Sequence, residues 1–412
     1  MMREAMEEAA KYNSIGEAIE AIRHGKVIIV MDDKDRENEG DFICAAEHVT
    51  PAVINFMLVN GRGQVCHSLL PEVCERLQLH QMVDRNTAPL NTAFTIPVDH
   101  VSCRTGITAF EKATTITSLI DPNAQPADFA RPGHLFPLAA KEGGVLRRAG
   151  HTEAALDLAR MAGCYPSGVL CEILNEEGDR ASRDELFEMA KKFDMPVITI
   201  AELIRYRRRS EKLVTREAEA ILPTKYGEAK IIVYGVEYER DEPIAIVFGD
   251  PRELEAPLVR LHSSCFTGDL ISSLRCDCGD QLDLALSQIG AEGHGVLVYL
   301  PQEGRGIGLA EKVKAYALQD KGLDTVDANL ALGHKADLRD YGVGIQILKD
   351  LGLSKIRLLT NNPKKTDAFI YGGFDLDVVD QVGIHAEVTE HNAKYLATKQ
   401  DRMGHASPEK DS

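Results

Sequence analysis

Apolar residues three and four apart in SIGEAIEAIRHG, residues 14–25, predict an amphipathic helix. A short apolar run, KVIIVM, follows and predicts a buried strand that passes directly into the charged loop DDKDRENEGD, residues 32–41. Strand and helix patterns then alternate as far as VITIAELIRYRRR. There Arg205, Arg207, Arg208 and Arg209 interrupt the pattern. Such a run reads as a solvated helix end whose charge complements the last carbonyls. A fresh strand series opens with AKIIVYGVEY, which places a domain junction near residue 208. The expected architecture is α/β and α+β, two mixed alpha-beta catalytic domains in tandem, spanning 1–208 and 209–412. The polar end, ASPEKDS, is expected to fray.

At 412 residues, with 44% hydrophobic and 27% charged positions, the chain has the composition of an ordinary folded protein. A formal net charge of −17 argues against a general nucleic-acid surface, because phosphate backbones are held by clustered Lys and Arg. Local basic pockets for small phosphates stay open. The acidic start has no basic-then-apolar signal, and no run approaches the roughly 18 apolar residues of a membrane span. We expect a cytoplasmic protein with no membrane partner.

Of nine cysteines, Cys44, Cys66, Cys74, Cys103, Cys164 and Cys171 are scattered and read as thiols of a reducing compartment. The remaining three, Cys265, Cys276 and Cys278, cluster in RLHSSCFTGDLISSLRCDCGDQL. Three close thiols fit a hydrolytic zinc site that leaves one position to water. They equally fit a structural site completed by His262 or a distant residue, or no metal at all.

The first half carries its own signals. Six carboxylates, Asp32, Asp33, Asp35, Glu37, Glu39 and Asp41, crowd the loop after KVIIVM, where a solvated charge run is the ordinary explanation. Downstream, GGVLRRAGHTEAALDLAR places Arg147, Arg148 and Gly150 before His151 and Thr152, with Thr152 at or near a helix N-cap. Free amides and the helix dipole there favour a phosphate, though His151 could equally serve to cap the helix. Mg²⁺, or Mn²⁺, fits between Glu37 and His151. ARPGHLFPL sets His134 after a Pro132-Gly133 turn, and GVLCEI sets Glu172 on an apolar strand. Together they supply proton carriers for carbon-acid chemistry.

DRENEGD, RPGHLFPL, RRAGHTEA and GVLCEI resemble the 3,4-dihydroxy-2-butanone 4-phosphate synthase family across roughly residues 14–204. The resemblance implies conversion of ribulose 5-phosphate to the four-carbon phosphate plus formate, with Mg²⁺ and no organic cofactor. It implies that Glu37 and His151 hold the metal. Arg36, Asp41 and the loop Arg148, Ala149, Gly150, His151, Thr152 would bind substrate, and His134 and Glu172 would be essential for turnover, Glu172 near the substrate. TGITAFEK departs conservatively at Thr108, Glu111 and Lys112, where the family often reads TGISA and then Asp-Arg.

In the second half, GVLVYLPQEGRGIGLAEKVKAYALQ predicts a strand, a loop through Gly304, Gly306 and Gly308, and a helix. Such a loop brings amides close to phosphate, and Arg305 adds a bidentate donor. Its GxGxG spacing, without a later acid at a strand end, argues against a dinucleotide fold. Asp337 and Arg339 in ADLRDYG, and Thr360, Lys364 and Lys365 in LLTNNPKK, add an acid and cations that could also be surface groups.

RLHSSCFTGD, SLRCDCG, QEGRGIGL, ADLRDYG and LLTNNPKK resemble GTP cyclohydrolase II over roughly residues 209–405. That implies Zn²⁺ on Cys265, Cys276 and Cys278, activating water for attack on guanine C8. GTP would meet Arg260, Leu261, His262, Ser263, Ser264, Gln281, Glu303, Gly304, Arg305, Thr325, Thr360 and Lys365. Asp337 would accept a proton, and Arg339 would act as nucleophile or stabilise the transition state electrostatically. Ser264 departs from relatives that carry a carboxylate there. The tandem order is similar to that of bifunctional riboflavin biosynthesis enzymes and implies a homodimer. Two other readings stay open: one live half beside a scaffold, or a zinc-dependent nucleotide-binding module without turnover.

Overall fold

The computed structural model describes residues 12–33, 36–238, 240–334, 339, 341–362, 375–386, 388–390 and 392. It divides into two compact units, Met1–Arg207 and Arg208–Ser412.

In the first unit, helix Ile15–Arg23 starts at a capping box: Ser14 Oγ accepts from Glu17 N while the Glu17 carboxylate accepts from Ser14 N. The strands are β1 (Ile28–Met31), β2 (Gly40–Ala45), β3 (Arg62–Leu69), β4 (Val98–His100), β5 (Phe129–Ala139), β6 (Gly168–Ile173) and β7 (Val197–Thr199). They form one mixed sheet in the order β4-β5-β3-β6-β2-β1-β7. Ile29, Met31, Phe42 and Cys44 enter one core, while Ile28, Val30, Ile43 and Ala45 enter another. Alternate side chains of β1 and β2 are thus buried on both faces, which is why these strands are continuous apolar runs rather than alternating ones.

Two sequence expectations change in this unit. Pro132 and Gly133 do not form a turn between elements. They lie within β5, where Ala130 pairs with Asp99 but Leu135 pairs with Val98, so residues 131–134 bulge from the ladder. The arginine run is not wholly solvated either. Arg205 is exposed beside Glu202 on helix Ile200–Ser210, but Arg207 is buried and donates to Asp157 Oδ2 at 2.8 Å and to Gly143 O at 2.7 Å.

The second unit contains β8 (Val214–Thr224), β9 (Gly227–Val236), β10 (Ile244–Phe248), β11 (Leu258–Ser263), β12 (Gly295–Leu300), β13 (Lys355–Leu359) and β14 (Asp377–Val382). Their order is β14-β13-β11-β12-β10-β9-β8. The strand series therefore opens at Val214, one strand before AKIIVYGVEY. Strand β8 is an edge strand whose residues are nearly all exposed, so no buried apolar alternation marks it. Strands β11, β12 and β13 are parallel, and their carboxyl ends lead into Ser264, Pro301-Gln302 and Thr360. In open sheets that end is where ligands are bound. Among the described residues, no helix is long and apolar enough to cross a membrane.

Two candidate active sites

The first site forms where β1 ends. Buried Asp32 accepts from Glu39 N through Oδ1 at 2.9 Å, and from Glu37 N (3.0 Å) and Arg36 Nη1 (2.9 Å) through Oδ2. Those bonds fold the acidic loop back on itself and turn Glu37 toward His151. The metal-ligating atoms of Asp32, Glu37 and His151 lie within 4.8 Å of one another.

His151 is the first residue of helix His151–Met161, capped by Gly150; Thr152 comes one residue further in. A Cβ at position 150 would lie 2.3 Å from Arg148 Nη1, so glycine is what lets that guanidinium close over the helix start. His151 Nε2 meets Val30 O at 3.1 Å, which makes Nε2 the donor and leaves Nδ1 facing Asp41 Oδ1 (3.7 Å) and Glu37 Oε2 (3.8 Å). Burial alone would lower this imidazole, but Asp41, Glu37 and Asp32 together raise it to about 9. Burial in turn raises the Asp41 carboxyl to about 7, and the neighbouring His151 imidazole, with Arg36, holds Glu37 below its usual range. This is a pocket where anionic oxygens outnumber their partners, and Asp41 Oδ1 makes no hydrogen bond at all. The donor set suits a hard divalent cation.

Glu172 sits directly across from Asp41 in the β2–β6 ladder, and its Oε2 accepts from Gln64 N at 2.8 Å. Arg36 also donates to Glu37 Oε2 at 2.6 Å. Arg148 is engaged by Glu153 Oε2 (2.7 Å) and Thr92 Oγ1 (3.0 Å), Ala149 is exposed, and buried Thr152 lends its carbonyl to Ser68 Oγ at 2.6 Å. His134, on the β5 bulge, pairs its Nδ1 with Asp99 Oδ2 at 2.7 Å.

The second site lies at the carboxyl ends of β11, β12 and β13. The sulfurs of Cys265, Cys276 and Cys278 lie within 4.8 Å of one another, with Cys265 Sγ and Cys276 Sγ 3.8 Å apart. Gly268 lies against them: a Cβ there would stand 3.0 Å from Cys276 Sγ and 3.2 Å from Cys265 Sγ. Three soft donors around a space that only a glycine leaves open fit a zinc ion. Hydrogen bonds from Cys276 and Cys278, then Lys312, hold the Cys265 thiol far below the usual thiol range. Lys312 Nζ donates to Cys265 Sγ (3.0 Å), Thr267 Oγ1 (2.9 Å) and Glu303 Oε1 (2.8 Å).

His262 is turned away from a role as fourth ligand. Its Nε2 lies 3.1 Å from Asp269 Oδ1 and its ring stacks on Tyr299. Asp269 Oδ2 accepts from Cys265 N at 2.9 Å and from Tyr299 Oη at 3.0 Å, so the carboxylate ties His262 to the backbone of Cys265.

The sulfurs open onto a pocket whose walls include Arg260, Ser263, Ser264, Gln281, Arg305 and Thr360. His262, Glu303, Gly304 and Arg339 line it as well. Arg260 is fixed by Leu359 O (2.7 Å) and Gln281 Oε1 (2.5 Å). Gly304 and Arg305 adopt left-handed φ angles of 61° and 63° in the turn that precedes helix Leu309–Gln319. Leu261 departs from expectation. Alternation along β11 sends its side chain into the core, against the space beside Gly344, and not into the cavity. Thr325 opens helix Thr325–Ala331, while Asp337, Lys364 and Lys365 lie outside the described residues.

Sequence reasoning missed Asp99 and Lys312. Lys312 was detectable: Lys312, Ala315, Tyr316 and Gln319 share one helical face and all line the cavity. Asp99 sits in a three-residue strand that has no period to read.

A family model described as 3,4-dihydroxy-2-butanone 4-phosphate synthase matches residues 16–206, and one described as GTP cyclohydrolase II matches residues 215–383. The riboflavin biosynthesis protein RibBA of Bacillus mycoides is 56% identical over 394 residues, covering 96% of this chain and 99% of that one. RibBA of Bacillus cereus is similar to the same extent. Among solved structures, RibBX from A. baumannii, a two domain 3,4-dihydroxy-2-butanone 4-phosphate synthase, aligns with a TM-score of 0.71 at 36% identity, over 91% of this chain and 100% of that one.

Proposed function

In a chain that belongs to the family of the riboflavin biosynthesis protein RibBA, we propose that each of the two side-chain clusters is a separate active site. The enzyme is bifunctional. It converts D-ribulose 5-phosphate to L-3,4-dihydroxy-2-butanone 4-phosphate and formate. It also converts GTP to 2,5-diamino-6-ribosylamino-4(3H)-pyrimidinone 5′-phosphate, formate and pyrophosphate.

In the first site, Glu37 and His151, with Asp32 beside them, would hold Mg²⁺ or Mn²⁺. The ion would stabilise the negative charge of an enediolate. Arg36, Asp41 and Glu172 bind the sugar, and the helix start at His151 and Thr152, with Ala149 and Gly150 ahead of it, receives the phosphate. Arg148 shapes that loop through Glu153. His134 and Glu172 carry protons to and from the substrate carbons.

In the second site, Cys265, Cys276 and Cys278 would hold Zn²⁺. Zinc there would supply the Lewis acidity that makes water nucleophilic toward guanine C8. Arg260, His262, Ser263, Ser264, Gln281 and Thr360 line the purine and ribose side, while Glu303, Gly304 and Arg305, with Lys365 and Thr325, receive the triphosphate. Asp337 accepts a proton. Arg339 stabilises charge as pyrophosphate leaves, because a guanidinium stays protonated at any working pH. Family resemblance supports a cytoplasmic homodimer, which light scattering of the purified chain would check.

The observation that carries this reading is the pairing of the three sulfurs with a polar pocket at the carboxyl ends of parallel strands. Formate release, assayed separately with ribulose 5-phosphate and with GTP, tests it. Formate from both substrates supports two live sites. Formate from one alone means a scaffold half, and from neither a binding module.

A further inference from the structure

We infer that Arg180 and Arg183 are positioning residues: they capture the backbone carbonyls of Glu37 and Asp32 and so seat both acids for a divalent cation. The inference rests on the reading of Glu37 as a ligand of that cation.

Asp32, Glu37, Glu39 and Asp41 must be held close together, although their mutual repulsion favours an open chain. From inside, the buried Asp32 carboxylate accepts from the N–H groups of Glu37 and Glu39. The carbonyls are held by the two arginines. Arg180 Nη1 donates to Glu37 O, and Arg183 Nη2 donates to Asp32 O at 3.0 Å. With its N–H tied to Asp32 and its carbonyl tied to Arg180, Glu37 has the direction of its side chain set on both flanks. That direction leads to His151, whose Nδ1 lies 3.8 Å from Glu37 Oε2.

Arg183 spreads its fork over two further acceptors, Asn38 Oδ1 at 3.4 Å and Tyr12 Oη at 2.6 Å. Asn38 has a φ of 53°, a left-handed backbone that a residue other than glycine keeps only when its neighbours hold it there.

Both arginines stand on ordered elements. Beyond β6, which carries Glu172, the chain folds back in a turn where Asn175 N donates to Asp179 O at 2.8 Å and Ala181 N to Ile173 O at 3.1 Å. Leu174 and Arg180 face each other across it as a bridge. Arg183 opens helix Arg183–Phe193, whose start is capped by Ser182 and Glu185. Leu186 of that helix packs so closely on Gly40 that a Cβ there would lie 2.5 Å from its Cδ1, and Phe187 meets Tyr12 edge-on. One helix therefore supports the acidic stretch both at Asp32 and at Gly40.

The sign of the effect separates placement from charge. A guanidinium repels a metal ion, and Arg180 is close enough for its charge to act on the Glu39 carboxylate. If charge alone mattered, removing an arginine would tighten metal binding. If the arginines place the ligands, removal weakens it.

The test is isothermal titration of the zinc-loaded full chain with Mn²⁺, alongside formate release from ribulose 5-phosphate. E37Q should lose the Mn²⁺ site. R180M and R183M should each raise the Mn²⁺ Kd by about 10-fold, the scale on which partners of metal ligands act. R183K, which keeps a donor for Asp32 O, should recover part of the loss. Sugar-derived formate should fall in both methionine variants and return as Mn²⁺ is raised, while GTP-derived formate stays unchanged. Mn²⁺ binding that is unchanged or tighter in R180M and R183M, beside a lost site in E37Q, overturns the role of the arginines. Wild-type Mn²⁺ binding by E37Q overturns the reading of Glu37, and the inference with it. Arg180 is exposed, so R180M should melt at the wild-type temperature. A loss of affinity that comes only with a lowered melting temperature in R180M overturns the proposal.

Discussion

Lys312 donates to Cys265 Sγ across 3.0 Å, and the same ammonium reaches Glu303 Oε1. Three thiolates around a divalent ion carry one net negative charge, which this lysine offsets from within the fold. K312M should weaken zinc binding by about 10-fold to 10²-fold, the usual scale for losing a partner of a metal ligand, as read by chelator competition. GTP-derived formate should fall, and sugar-derived formate should not.

Gly268 offers a sharper probe of the same site. A methyl group there would occupy the space beside Cys265 and Cys276. Zinc content measured by atomic absorption should drop in G268A and vanish in C276S. Both variants should still release formate from ribulose 5-phosphate.

His151→Ala gives the reverse pattern. It removes the imidazole that faces Asp41 and Glu37 and should abolish the sugar reaction while GTP turnover persists. Isothermal titration with Mn²⁺ should show the loss of one site.

The first unit should be acid-sensitive through His67, which is fully buried and donates from Nε2 to Ser167 Oγ at 2.7 Å. Burial lowers its pKa from 6.5 to about 3, so between those values the unfolded chain binds a proton that the folded one refuses. Stability is complete above pH 6.5 and declines as pH falls toward 3, by up to about 1.4 kcal/mol per pH unit. Urea titrations across that range should show the slope, and H67N should flatten it.

Arg207 and Asp157 form an ion pair in which both side chains are almost fully buried. R207M would strand a carboxylate that also accepts from Val145 N, at a cost of about 3–5 kcal/mol. Thermal melting of the first unit should shift down accordingly. Losing the bond to Gly143 O should also loosen the loop ahead of His151, raising KM for the sugar phosphate.

Much of the molecule could be read from its residues, and the reasons for the exceptions are physical. Helix Ile15–Arg23 and strand β1 were legible because period and burial coincide there. The thiol trio was legible because its members are close in sequence as well as in space. Arg207 was not, since a run of like charges gives no hint that one member finds a buried carboxylate on another helix. Leu261 shows the opposite limit: a motif marks a strand, but pleating sends the side chains of alternate members into the core and away from the pocket. Asp99 and His134 meet through a bulge joining two strands, and a bulge has no sequence period.

Strand β8 closes its sheet with a row of exposed side chains that includes Arg216, Glu217 and Glu219, and with Pro223 near its end. A free strand edge is a template on which another chain can add itself. Charged side chains and a missing amide hydrogen make this one a poor template. The charged, exposed positions that hid β8 from sequence reading are thus the same ones that discourage a second copy from adding to the open edge, although Ile221 and Leu222 lie exposed further along it.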